Sequence, residues 1–213
     1  MDENEQRAAF HAALTTEHFV LQTATSTTYT EASARSSLYV MALSSSLVAI
    51  GFMANTPSVL IPFISVILPA IFLLGVLTVM RLIETGLESM QYLRGIARIR
   101  AHYRTLGTDA QAQFAAAHGR WPEVPSPALR LGPLLAFFGT TATMIAVINN
   151  LIGGTAIALL VGAVHGSAPR WACASAGVAT AVLLTWLFYV YQSWRFAEFD
   201  GTKANAAEPS TKP

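Results

Sequence analysis

Three stretches of the chain contain no Asp, Glu, Lys or Arg: residues 36–80, 131–169 and 171–194, of 45, 39 and 24 residues. A helix rising about 1.5 Å per residue needs about 20 apolar residues to cross a hydrocarbon core roughly 30 Å thick. Runs of this length therefore restrict the chain to an all-α, polytopic membrane architecture. Composition agrees: 12% of the residues are charged and 53% hydrophobic, against roughly 25% charged in an ordinary soluble domain.

The first stretch is long enough for two spans and a turn. Asn55-Thr56-Pro57 marks the turn, a polar and helix-breaking cluster, which predicts spans over about 37–54 and 59–80. The third stretch predicts one span over about 171–191. Trp171 at one end and Tyr189, Tyr191 and Trp194 at the other suit the aromatic belts of a bilayer.

The middle stretch is divided by Asn149-Asn150, with Gly153-Gly154 following. Two spans here would leave the second only 14 residues, about 21 Å. A single span over about 137–161 is geometrically easier. Four spans put twelve Lys and Arg on one side and only Arg170 on the other, whereas five spans give ten against three. The cytoplasmic excess of basic residues favours four, with both termini in the cytoplasm. The acidic start, Met1-Asp2-Glu3-Asn4-Glu5, lacks the basic n-region of a cleavable signal. The first span is therefore expected to serve as its own insertion signal in a bacterial cytoplasmic membrane.

Between and around the spans lie three further segments. Residues 1–36 read as a polar helix, with Glu31 and Arg35 spaced to pair one turn apart. Residues 81–130 begin as a helical continuation of span 2, with Ile83, Leu87, Met90, Leu93, Ile96 and Ile99 at helical spacing. Gly107, Gly119, Pro122, Pro125 and Pro127 then predict a looser connection. The second membrane hairpin occupies 131–194, and residues 195–213 form a tail, disordered from about Gly201 by composition.

Small residues recur every fourth position at Gly154, Ala158 and Gly162, and at Cys173, Gly177 and Ala181. This spacing lets helix backbones approach closely in lipid. With four spans both faces lie in the outer half of the bilayer and can meet. The polar groups inside the spans are the other candidates. Asn149 and Asn150 fall near mid-membrane if their span starts near Thr140, where they would mark a pathway or an interhelical hydrogen bond. An earlier span would put them at the outer interface, where Asn is ordinary. Ser45 with its neighbours Ser44 and Ser46, and Thr141 with Thr140 and Thr143, could line a polar route or bond back to their own helices. Pro69 deletes the hydrogen bond to the Ser65 carbonyl and predicts a kink in span 2.

Motifs for chemistry are sparse. Glu84 and Glu88, one turn apart, read as a salt-linked helix face beside Arg81 and Arg94. Arg94, Arg98, Arg100 and Arg104 serve topology or touch anionic headgroups. The five histidines form no ligand cluster in sequence, the single Cys173 excludes an intramolecular disulfide, and no metalloprotease, phosphate-loop or nucleophile-elbow motif is present. No cofactor, metal site, nucleic-acid partner or enzymatic activity is expected.

The segment Thr15-Thr16-Glu17-His18-Phe19-Val20-Leu21-Gln22-Thr23, continuing through Glu31-Ala32 to Arg35-Ser36-Ser37-Leu38-Tyr39, resembles a family of bacterial multi-span membrane proteins of unknown function. The resemblance covers about the first 55 residues and implies no activity. The layout, a polar helix feeding a membrane hairpin that returns as a cytoplasmic helix, is similar to the SLATT type of pore-forming effector. The leading expectation is a non-enzymatic membrane protein acting through helix association and cytoplasmic helices in assembly, partner binding or regulation. It would have the bilayer and a second copy or another protein as partners. The alternative is an oligomeric channel or pore.

Overall fold

The computed structural model describes residues 2–114, 139–166 and 169–207. The described residues are helical throughout and contain no strand. Helix α1 spans Glu3–Met53 and α2 spans Pro57–Tyr103. A 3-10 turn at Arg104–Leu106 and a short α3 at Thr108–Gln113 follow. Then come α4, Thr141–Val164, and α5, Arg170–Ala207. Four of these helices are long and apolar enough to cross a membrane.

The length of α1 follows from what its sequence lacks. No Gly or Pro occurs before Gly51, so nothing interrupts about 75 Å of helix. At its start Glu5 accepts from the Asp2 backbone N–H at 3.1 Å, one half of a capping box. Glu3 and Glu5 also sit favourably at the positive end of the helix dipole. The turn between α1 and α2 is shorter than the sequence pattern predicts. Pro57 is the first residue of α2 and not part of the break, since proline's fixed φ suits a position whose N–H has no helical partner. Helix α2 then continues through Pro62 and Pro69 as one element.

Among the described residues of the middle apolar stretch, one helix runs uninterrupted through Asn149-Asn150. It is capped by Thr140, whose hydroxyl accepts from the Thr143 backbone N–H at 3.3 Å. At the other end of the chain, α5 extends to Ala207. Three alanines among Lys203-Ala204-Asn205-Ala206-Ala207 supply enough helix propensity to carry α5 past Gly201. The proline-rich connection around Pro122, Pro125 and Pro127 lies outside the described residues.

The chain divides into two units. The first comprises Met1–Ser33 and Glu84–Phe137. Here the α1 segment runs antiparallel to the α2 segment: Phe10 meets His102 edge-on with ring centroids 5.2 Å apart, while Leu21 abuts Gly95. Burial on α1 recurs at His11, Leu14, His18, Leu21, Thr25 and Thr28, and on α2 at Thr85, Ser89, Tyr92, Ile96, Ile99 and Tyr103. The α1 series alternates steps of three and four, a face with a seven-residue period, whereas α2 is at least half-buried at every position from Arg81 to Met90. Many of the seam residues are polar. Thr25 and Thr28 are buried with their hydroxyls bonded back to the carbonyls of Leu21 and Thr25, at 2.9 and 2.7 Å. Glu84 and Glu88 are half-buried on this segment of α2.

The second unit comprises Ala34–Ile83 and Phe138–Pro213. Its interior mixes apolar residues such as Ile71, Val79 and Ile145 with polar ones, and its surface is apolar. Ser46, Thr78, Thr143, Asn149, Asn150 and Gln192 are buried, whereas Leu38, Met41, Phe52, Ile61, Val66 and Val178 are among its exposed large apolar residues.

Candidate site: the polar and glycine contacts of α4

The contacts of the second unit converge on one short run of α4, Asn149-Asn150-Leu151-Ile152-Gly153-Gly154. Residues four apart stack on one helical face, so this run carries two parallel stripes. Asn149 and Gly153 form the first, and Asn150 and Gly154 the second.

The first stripe meets α1 and α2. The Tyr39 hydroxyl of α1 donates to Asn149 Oδ1 at 3.3 Å, long for an O–H···O bond. The same Asn149 side chain lies over Gly75 of α2, where a Cβ would overlap its Oδ1 and Cγ. Asn149 and Tyr39 are both essentially inaccessible, at 1% and 0% exposure. One turn on, a Cβ at Gly153 would stand 2.7 Å from the Phe72 ring of α2 and 3.0 Å from Leu184 Cδ1 of α5.

The second stripe meets α5. Asn150 Nδ2 donates to Thr185 Oγ1 at 3.1 Å, and that hydroxyl donates to the Ala181 carbonyl at 2.8 Å. Gly154 and Gly177 face each other backbone to backbone. A Cβ at Gly154 would lie 2.5 Å from the Gly177 carbonyl oxygen, and one at Gly177 would lie 2.7 Å from that of Gly154. Only glycine at both positions permits this approach. Ala158 continues the face, its Cβ 2.9 Å from where one would stand on Gly177. Gly162 is looser, 3.6 Å from Cys173 Sγ by the same measure.

The remaining sequence candidates are placed elsewhere. Ser45 and Ser44 are exposed on α1, and the buried serine of the triplet is Ser46, which donates to the Ala42 carbonyl at 2.8 Å. Thr141 is exposed at the start of α4, and Thr143, at 1% exposure, is the buried member of that group. Its hydroxyl lies 2.8 Å from that of Thr140. Of the sequence-derived polar candidates, Asn149 and Asn150 enter the interhelical contacts. Gly153 could have been found from its four-residue offset from Asn149. No sequence pattern distinguishes Tyr39 or Gly75 from the other aromatic residues and glycines of the spans.

These contacts pair the Asn149 carboxamide with the Tyr39 hydroxyl and the Asn150 carboxamide with the Thr185 hydroxyl. Among the described residues, no three His, Cys, Asp or Glu side chains gather where they could hold a metal ion. The chain matches no family model, no curated protein and no solved structure.

Proposed function

We propose that the chain is an integral protein of a bacterial cytoplasmic membrane. It crosses four times, with both termini in the cytoplasm. It has no catalytic activity and works through helix association and through its cytoplasmic helices, in assembly, partner binding or regulation. The observation that carries this reading is the apolar surface of the second unit around enclosed polar groups. Apolar side chains such as Phe52, at 85% exposure, and Val66, at 71%, point outward, while Asn149 and Asn150 are enclosed. Lipid is the solvent in which such a surface is stable. The distribution of basic residues, with Arg170 alone between the last two spans, supports the orientation.

A supporting role is favoured over a pore by the way the intramembrane polar groups are used. In a single copy Asn149 and Asn150 are hydrogen-bonded to Tyr39 and Thr185, which leaves them unavailable to line a conduit. Ser45 and Thr141 keep the rival reading concrete, since both are exposed and would face a lumen only in a ring of copies. The native mass of the protein in lipid nanodiscs separates the two. A monomer or a complex with another protein is expected, and a closed ring of three or more copies would replace this reading with the pore. Orientation is checked on a Cys173→Ala background. Thr56→Cys and Gly166→Cys should react with an impermeant maleimide on intact cells, and Ala13→Cys and Thr105→Cys only after lysis.

A further inference from the structure

The seam between α4 and α5 continues past the bond from Asn150 to Thr185. Its buried positions recur at Asn150, Ala146 and Thr143 on α4, and at Ala181, Phe188 and Gln192 on α5. The two helices run antiparallel here, since Gly154 meets Gly177 and Asn150 meets Thr185. Seven residues bring a packed helix face round to the same neighbour. One heptad beyond Asn150 and Thr185, the same register therefore sets Thr143 opposite Gln192. Both are enclosed, Gln192 at 7% exposure.

The two pairs differ in one respect. Asn150 and Thr185 reach each other directly, at 3.1 Å, whereas Gln192 Oε1 is enclosed and has no hydrogen-bond partner. A half-turn of the carboxamide exchanges Oε1 for Nε2 but leaves a polar atom at the same enclosed place. On the other side of the seam, the Thr143 hydroxyl lies 2.8 Å from that of Thr140. Whichever of the two donates, Thr143 Oγ1 keeps at least one lone pair for a third group. An enclosed acceptor without a partner is costly, and ordered water is the usual remedy.

We propose that a single internal water is held between Gln192 and Thr143, giving one proton to Gln192 Oε1 and the other to Thr143 Oγ1. The seam is then closed by a wet contact at this end and by a dry one at Asn150 and Thr185. The site selects a small neutral molecule with two donors. An anion would confront the Gln192 oxygen, and a cation the positive end of the α4 dipole. Thr140, exposed at the start of α4, places the site one turn from the helix end, by which the water enters.

The test is water-edited solid-state NMR on the full chain in bilayers of perdeuterated lipid. Magnetisation from water is expected to reach the Gln192 and Thr143 side chains several-fold faster than those of Asn150 and Thr185. Gln192→Leu should slow the transfer to Thr143, and Thr143→Val the transfer to Gln192, in each case to the rate of the dry pair. Unchanged signals from Gly153 and Gly154 show that the seam is intact in a variant. Where they shift, Gln192→Met or Thr143→Ala takes its place under the same criterion. Equal rates at the two pairs in the parent would overturn the proposal, as expected if Gln192 bonded Thr143 directly. Undiminished transfer in the variants would overturn it too, because the water would then belong to the helix end at large and not to this pair.

Discussion

Gly75 shows how one absent methylene can decide a contact in this protein. Asn149 occupies the space that a side chain at Gly75 would fill. Gly75→Ala is therefore expected to destabilise the second unit by about 1–3 kcal/mol, as overpacking does, despite alanine's better helix propensity. Equilibrium unfolding in mixed micelles would check the sign, which a position governed by propensity alone would reverse. The Tyr39–Asn149 bond is predicted to contribute less. Hydrogen bonds between membrane helices average about 0.6 kcal/mol and reach about 1.7, and this one is long. A double-mutant cycle of Tyr39→Phe and Asn149→Leu should give a coupling energy near the lower of these values. A coupling above about 2 kcal/mol would show that the pair belongs to a larger polar network.

The helices themselves differ in what holds them. Helix α1 persists because nothing in its first fifty residues stops it, although its middle, from Thr23 to Thr30, is rich in β-branched residues of modest propensity. Those threonines return their hydroxyls to carbonyls of the preceding turn, as Thr23, Thr27 and Thr30 do at 2.9 to 3.1 Å. Helix α2 contains Gly86, around which a Cβ would meet nothing within 4 Å. Gly86→Ala should accordingly stabilise by about 0.5–1 kcal/mol, the opposite of Gly75→Ala in the same helix. The α4–α5 contact depends on two glycines at once. Gly154→Leu or Gly177→Leu is expected to separate these helices, seen as lost resistance to unfolding in mixed micelles. Gly162→Ala, with Cys173 Sγ nearby at ordinary contact distance, should leave that resistance intact.

At the scale of the molecule, the two units use polar residues in different ways. In the first, threonine and histidine lie in a seam where leucine would pack more stably. In the second, a few polar groups connect helices whose outer surfaces are apolar. The first unit is therefore predicted to open more readily. Backbone amides of residues 85–100 should exchange at least about a hundredfold faster than those of residues 145–160 at neutral pH, because polar seam contacts hold the first and close interhelical packing holds the second. Comparable protection in both would show that polar seam residues cost this helix pair little.

Composition and spacing were sufficient for the coarse architecture. Charge-free runs of 45, 39 and 24 residues admit only long apolar helices, and the turn near Asn55 follows from local polarity and proline. The four-residue recurrence of Gly154 and Gly177 with their small neighbours marks faces on which backbones can meet, a property of each helix alone. Which polar residues those helices enclose depends on rotation about each axis, and a helix that is apolar all round does not encode its own rotation. Ser46 and not Ser45, and Thr143 and not Thr141, face inward for that reason. The pairing of Tyr39 with Asn149 across 110 residues likewise arises only when α1, α2 and α4 are assembled. The polar seam of the first unit lies between these cases. Its seven-residue period is written in the chain from His11 to Thr28, but a period of histidine and threonine becomes a packing surface only once α2 supplies the opposing face.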